Sequence, residues 1–563
     1  MALPNGVTKL TVNVGSSRAP LLQGGSEPAF VGSKELLIER ALARLRSIPG
    51  DLEKYTMLAA LRCKNEDVFY GLVGGNLQEL CPLIYTPVIG LACQNFSLIH
   101  PPPPAQPEPI RALYLSYPDL PRLPEIIQEL KTRIPKEDME ICVVTDGSRV
   151  LGLGDLGVGG MGISQGKLSL YVAAGGINPK ATLPIVLDFG TDNERLLADP
   201  LYVGLRQRRL DDETCEAFVD VFMKAMNKAF PNMIIQFEDF HTTLAFPLLE
   251  KHRERYPCFN DDIQGTGAVV LAGAIRAFQI TGIPLKDQKI LFFGAGSSGV
   301  GVAETITKYF QMQGMSEEEA RDKFWLVDSK GTDASPSFAT NQGLVAHNRG
   351  DKLPAHKQYL ARREPDAPRL SSLVDVVKHV RPTALLGLST VGGTFTPEIL
   401  ALMAQYNARP IVFALSNPVA QAECTFEEAI EGTEGRVLYA SGSPFDPVEY
   451  KGKRYEPGQG NNMYIFPALG LGSILARAKS IPEEMVHASA QGLADSLTSE
   501  ELERDLLYPD IERIREVSIR IALSVIRSAQ KLGVDRAEHL RAMDDQALEQ
   551  HIRRRMYHPL LAN

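Results

Sequence analysis

Lys289-Ile290-Leu291-Phe292-Phe293-Gly294-Ala295-Gly296-Ser297-Ser298-Gly299-Val300-Gly301 decides how this 563-residue chain is read. An apolar run, a glycine cluster and the helix-like stretch Val302 to Phe310 make a strand–turn–helix sequence. Glycine permits the tight turn and lets backbone amides approach a pyrophosphate, which the positive end of the helix attracts. A lone glycine triplet means little; in this context it implies a nicotinamide dinucleotide held by Gly294, Gly296, Ser297, Ser298 and Gly299. The next apolar run ends at Asp328, where a carboxylate could meet the adenosine ribose, if Met312 to Lys323 is an extra helical insertion.

Around this unit, short β-branched runs alternate with helical stretches. The runs are Ile141–Val144, Leu183–Leu187, Met233–Phe237, Phe324–Val327, Ala384–Leu386 and Pro410–Ala414. Such alternation implies an α/β chain with parallel sheets covered on both faces. From Gly32 to about Gln94 the apolar spacing is helical, as in Leu36, Leu37, Ala41, Leu42 and Leu45. The run from Pro101 to Pro107 cannot continue a helix and marks a semi-rigid linker. After Pro467 the chain returns to helix, ending in an Arg-rich segment from Asp535 to Met556.

A second glycine cluster, Gly152 to Gly160, fits the same spacing. Its preceding strand is interrupted by Asp146-Gly147-Ser148-Arg149 and nothing helix-forming follows promptly, so it reads as a mobile loop lining a cleft. Two acidic pairs, Glu238-Asp239 and Asp261-Asp262, each stand where an apolar run ends. Four carboxylates gathered together repel one another and lose hydration unless a cation compensates, and an oxygen-loving Mg²⁺ or Mn²⁺ would do so. Solvated loop acids that never meet are the alternative.

Composition narrows the classes. The net charge of −9 comes with no broad basic stretch, which argues against nucleic acid. The seven scattered cysteines lack a Cys-x-x-Cys pair and the ten histidines lack metalloprotease spacing, so a reducing compartment is expected and a thiolate or zinc-protease site is not. Gly, Pro or a charge interrupts every apolar run before membrane-spanning length, and the first thirty residues show no apolar signal core. The expected location is cytoplasmic, with a mitochondrial one left open.

The residues resemble the malic enzymes, oxidative decarboxylases of malate. The resemblance runs from Glu66 to about Ile526 through Tyr85-Thr86-Pro87, Val144 to Asp155, Gly166 to Tyr171, Phe237-Glu238-Asp239-Phe240, Phe259 to Thr266, Leu415-Ser416-Asn417-Pro418 and Gly458 to Asn462. It implies a metal on Glu238, Asp239 and Asp262, completed by L-malate. It implies Lys167 as the base for the C2 hydroxyl with Asp261 beside it, and Tyr85 as the acid. Arg149 would grip a malate carboxylate, and Asn417 and Asn462 would orient the substrate, Asn417 also touching the dinucleotide. A lysine at its ordinary pKa is a poor base, so burial or the nearby cation is expected to lower it. Ser148 and Ser164-Gln165 depart from the family's usual Glu and Pro-Val, and the Pro101–Pro107 run replaces a usual Lys-Pro-Arg-Gly segment.

The implied architecture is an N-terminal, mainly helical region (1–109) and a catalytic α/β domain binding substrate and metal (110–260 plus 462–530). A Rossmann-type NAD(P)-binding domain (261–461) is inserted between the two parts, and a C-terminal helical tail (531–563) follows. Asp328-Ser329-Lys330-Gly331 resembles the NADP-using branch: Ser329 leaves room for a 2′-phosphate and Lys330 adds charge. Leu344 stands where such relatives place a further lysine, so NADP is expected with NAD or both as the alternative. A homo-oligomer, dimer or tetramer, is implied. A malolactic enzyme, which retains its dinucleotide and releases lactate, and a non-catalytic dinucleotide sensor stay open as rivals.

Overall fold

The computed structural model describes residues 33–100, 112–134, 139–328, 343–346, 353, 355–364, 370 and 372–560. Among these, the chain opens with the helices Lys34–Arg46, Asp51–Lys64, Glu66–Gly75, Leu77–Ile84, Val88–Gln94 and Phe96–Ile99. The first and third are capped by Ser33 and Asn65, whose side chains accept the Leu36 and Val68 amides. The expected Pro101–Pro107 linker lies outside the described residues.

The first sheet is built from β1 (Leu113–Ser116), β2 (Ile141–Thr145), β3 (Thr182–Asp188), β4 (Ile234–Phe237) and β5 (Cys258–Asn260), all parallel in the order β1-β3-β2-β4-β5. Alternate residues feed two cores. Ile141 and Val143 join Tyr171, Ile465 and Phe466 on one face, while Cys142 and Val144 join Phe218 and Phe222 from the helix Asp212–Ala229 on the other.

The second sheet contains β6 (Ile290–Phe293), β7 (Phe324–Asp328), β8 (Gly343–Leu344), β9 (Ala384–Gly387), β10 (Ile411–Ala414) and β11 (Leu438–Ser441). After the separate hairpin β12 (Val448–Tyr450) and β13 (Lys453–Tyr455), it is completed by β14 (Gly458–Gln459). Its order is β14-β11-β10-β9-β6-β7-β8. The expectation of wholly parallel sheets fails at one edge, where β8 runs antiparallel to β7. Strand order reverses at β6, which lies between β7 and β9 and opens a crevice at the strand carboxyl ends.

One crossing between the sheets is the 21-residue segment Asp261–Thr281. By length and mean hydropathy (1.2) it alone among the described residues is long and apolar enough to cross a membrane, yet 72 % of its most apolar window is buried inside the protein. The return crossing leads into the helices Phe466–Ala476, Glu483–Ala494 and Ile514–Leu532, which pack on the central core. Beyond the last described helix, Asp545–Arg555, the chain folds back onto the helices Lys34–Arg46 and Glu66–Gly75. The Tyr557 hydroxyl donates to Asp67, the Tyr557 amide to the Gly176 carbonyl, and Lys34 to the Pro559 carbonyl at 3.2 Å. All seven cysteines are free, and only Cys63 is exposed.

Candidate active site

The carboxyl ends of β2, β4 and β5 bring together residues far apart in sequence. Strand β4 stops at Phe237, and Asp239 takes the left-handed region at φ +57°, so the chain leaves the strand within the acidic pair. Neighbouring side chains on a strand face opposite ways, and this break lets Glu238 and Asp239 turn to one side. After β5, residues Asp261–Gly265 form one π-helical turn, a local distortion that recurs at functional sites. A Cβ at Gly265 would lie 1.8 Å from Asp261 Oδ1, so a larger residue there would displace the Asp261 carboxylate.

Glu238, Asp239 and Asp262 each offer an oxygen, and these atoms lie within 4.8 Å of one another. Asp262 Oδ2 accepts the Asp239 amide at 2.8 Å, and Asp239 Oδ1 accepts the Leu151 amide at 3.2 Å. Asp239 Oδ2 and Asp261 Oδ1 are buried without a hydrogen-bond partner. Burial pushes all three clustered carboxyls above the ordinary range, neighbouring carboxylates add to this and Lys167 opposes it. Orphaned buried oxygens within a repelling acidic group fit a hard divalent cation.

Lys167 belongs to the helix Met161–Ala173 and is 1 % exposed. Its ammonium bridges Asp261, at short range, and Glu238 Oε1 at 2.8 Å. Burial alone would lower Lys167, but these two carboxylates hold it well above its usual value. The expected lowering is therefore not present in this arrangement, since two anions outweigh desolvation. The ammonium also lies 4.5 Å from the Phe466 ring centroid and 5.4 Å from that of Tyr85. Tyr85 follows the helix Leu77–Ile84 and is 5 % exposed, and burial pushes its hydroxyl well above the ordinary phenol value. Gly166 permits this approach: its position leaves the Ile84 carbonyl 3.0 Å from where a Cβ would stand.

Asn462 donates to Asp261 Oδ2 and to Thr266 Oγ1, both at 3.0 Å. Arg149 and Asn417 are exposed, and the Arg149 amide donates to the Asp239 carbonyl at 3.0 Å. Arg149 donates to Thr242 Oγ1 at 2.8 Å, and Asn417 accepts from Ser443 Oγ at 2.6 Å. The Asn417 carbonyl approaches Gly152, so the second glycine loop meets the second sheet's edge of the cleft.

That loop departs from the sequence reading twice. A helix does follow it, Met161–Ala173, which tertiary burial holds despite its glycines. It is also tied down: the Leu156 amide donates to the Gly147 carbonyl at 2.9 Å and the Val158 amide to Tyr202 Oη at 3.0 Å. The unusual residues are each accommodated. Ser148 bonds Asp146 and accepts the His241 amide, Ser164 donates to the Ile185 carbonyl, and Gln165 accepts from Arg62.

In the second sheet, Gly294 has φ +113° and packs against the Leu388 carbonyl, Gly299 fits beneath the Gly294 carbonyl, and Gly296 faces open space. A Cβ at 294 or 299 would strike the Leu388 or Gly294 carbonyl, while the open space at Gly296 fits the close backbone approach of a pyrophosphate. Ser329, Lys330 and the Ser297 side chain lie outside the described residues. Asp328 ends β7 as expected and accepts from Lys357 Nζ at 2.6 Å. Lys357, not residue 344, brings a cation to that carboxylate. Leu344 is 4 % exposed in an apolar cluster.

Sequence reasoning also missed Gln236 and Tyr171. Gln236 Nε2 donates to Glu238 Oε2 at 2.7 Å, and the Tyr171 hydroxyl donates to Gln236 Oε1. A fully buried amide in an otherwise apolar strand was the available signal.

Residues 62–253 match the family model described as malic enzyme, N-terminal domain, and residues 263–530 match malic enzyme, NAD binding domain. The chain is 44 % identical to an NADP-dependent malic enzyme of Dictyostelium discoideum, over 91 % of this chain and 89 % of that one. It is 42 % identical to a mitochondrial NAD-dependent malic enzyme of Ascaris suum, over 91 % and 76 %. The fold is similar to the crystal structure of Entamoeba histolytica malic enzyme, with a TM-score of 0.56 at 22 % identity, covering 94 % of this chain and 89 % of that one.

Proposed function

The chain belongs to the malic enzyme family, and from that premise we propose that it converts L-malate to pyruvate and CO₂ while reducing NADP, with Glu238, Asp239 and Asp262 holding a divalent cation. The observation that carries this reading is one buried lysine set between Asp261 and Glu238, the latter a member of the acidic triad, at the sheet's carboxyl edge. When bound, Mg²⁺ or Mn²⁺ would supply Lewis-acid polarisation and the dinucleotide a hydride acceptor.

The chain's own groups do the rest. Arg149 binds a malate carboxylate, and Asn417 and Asn462 orient the molecule. Lys167 Nζ takes the C2 hydroxyl proton, with Asp261 fixing the ammonium so formed. While Glu238 faces Lys167 the protonated form is favoured, and a cation held by Glu238, Asp239 and Asp262 would offset that carboxylate and so favour the amine. Tyr85, kept protonated by burial, donates to C3 after CO₂ departs. Tyr171 and Gln236 hold Glu238 from behind.

Purified protein with L-malate and Mn²⁺ should reduce NADP⁺ faster than NAD⁺ and release pyruvate, with chelator abolishing both. Lactate without net reduction would instead identify a malolactic enzyme. Replacing Lys357 with alanine removes a cation beside Asp328 and is expected to lower the NADP-to-NAD ratio of kcat/KM about 10- to 100-fold, as loss of a charge-assisted contact implies. An unchanged ratio would place the 2′-phosphate elsewhere.

A further inference from the structure

We infer that Arg209 is a positioning residue for substrate recognition, fastening the two ends of the loop on which Arg149 stands. The inference rests on the reading of Arg149 as a malate contact. Arg206 and Arg208 are exposed, whereas the Arg209 side chain is 5 % exposed and lies between Asp146 (0 %) and Asp155 (16 %). Its Nε and Nη2 grip Asp155 at 3.0 and 2.8 Å, a fork on one carboxylate. Its Nη1 reaches Asp146 Oδ2 at 3.3 Å, and Nη1 and Nη2 reach the Asp146 carbonyl at 3.3 and 3.2 Å.

Between these anchors the backbone turns sharply. Gly147, Leu151 and Gly154 have φ of +64°, +50° and +83°. Glycine-rich backbone carries a large entropy to be lost on ordering, and Arg209 cross-links the ends to limit it. Each carboxylate is also used locally: Asp146 accepts the Ser148 amide at 2.9 Å, and Asp155 accepts the Gly157 and Asp192 amides at 2.9 and 2.8 Å. Buried ion pairs contribute little net stability after desolvation, so the arrangement is better explained by the geometry it imposes. Arg149, exposed and held through its side chain by Thr242, takes its place from this loop's backbone, which is pinned to the Asp239 carbonyl at 3.0 Å.

The test compares the full-length wild type with Arg209→Lys, Arg209→Met and Asp155→Asn, in steady-state kinetics with Mn²⁺ and in amide hydrogen exchange of residues 147–158. Each variant should exchange faster in that segment and raise KM for malate about 10- to 100-fold, the penalty for a displaced clamp. The dinucleotide KM and kcat should stay within about twofold, because uniform binding alone is lost. Lysine should not rescue, since a point charge cannot fork across both carboxylates. Unchanged exchange overturns the fastening role. Faster exchange with an unchanged malate KM overturns the link to recognition and counts against Arg149 as the malate contact. A lowered melting temperature and kcat with unchanged KM shows a structural role only, and overturns the inference. Asp155→Asn decides the matter if the arginine variants do not fold.

Discussion

Replacing Lys167 with alanine is expected to lower kcat for malate oxidation about 10²- to 10⁴-fold, the range supplied by one positioned proton-transfer group. The same change leaves Asp261 and Glu238 buried beside one another without their cation. A broken buried pair costs roughly 3–5 kcal/mol, so metal-free Lys167→Ala should melt well below the wild type and regain stability on adding Mn²⁺. Lys167→Arg separates the two roles. It keeps a positive charge beside the acids but cannot lose a proton at neutral pH, so it should be closer to wild type in melting and as inactive as alanine. Assays at saturating malate and Mn²⁺, with melting curves with and without the metal, check this. A Lys167→Ala kcat within about tenfold of wild type would mean another group removes the proton.

Asp239→Asn should move metal-free stability and Mn²⁺ affinity in opposite directions. The ordinary aspartate is ionised at neutral pH, yet burial and Asp262 hold the folded carboxyl well above that range, so its charge destabilises the metal-free fold. Neutralising it removes this cost. The asparagine carbonyl can keep the Leu151 amide, and its amino group can face the other carboxylates in place of the orphaned Oδ2. Metal-free protein should therefore melt higher than wild type, while Mn²⁺ affinity falls by more than the roughly 10- to 100-fold typical of losing a group behind a ligand. Calorimetric Mn²⁺ titration and paired melting curves read both. Unaltered affinity would remove Asp239 from the metal site.

Much of this could be read in the sequence where one local rule dominated. Central strands such as Ile141–Thr145 and Ile290–Phe293 are buried on both faces and therefore spell continuous apolar runs. Glu238 and Asp261 are adjacent in space because each ends a parallel strand, and parallel strands end at one edge. The three-residue strand Cys258–Asn260 was hidden by its brevity and by the acids that follow it. Residues whose meaning lies in a distant partner were illegible. Arg209 looks like its exposed neighbours, and Lys357 like any lysine of a polar stretch, until packing brings carboxylates to them. The helix carrying Lys167 was masked by its glycines, which are there because Ile84 and Cys93 press against it.

The return of Tyr557 and Pro559 onto the opening helices bears on how the molecule is made. Lys34 and Pro559 touch although 525 positions separate them. Ribosomal synthesis delivers the helices leading to Tyr85 long before the segment that contacts Asp67 and Gly176. The dinucleotide cradle, whose contacts lie within the second sheet, can close while the chain is still growing. The helices carrying Lys34 and Asp67 gain these contacts only once residues 557–559 have been added, long after Leu388 completes the contact with Gly294.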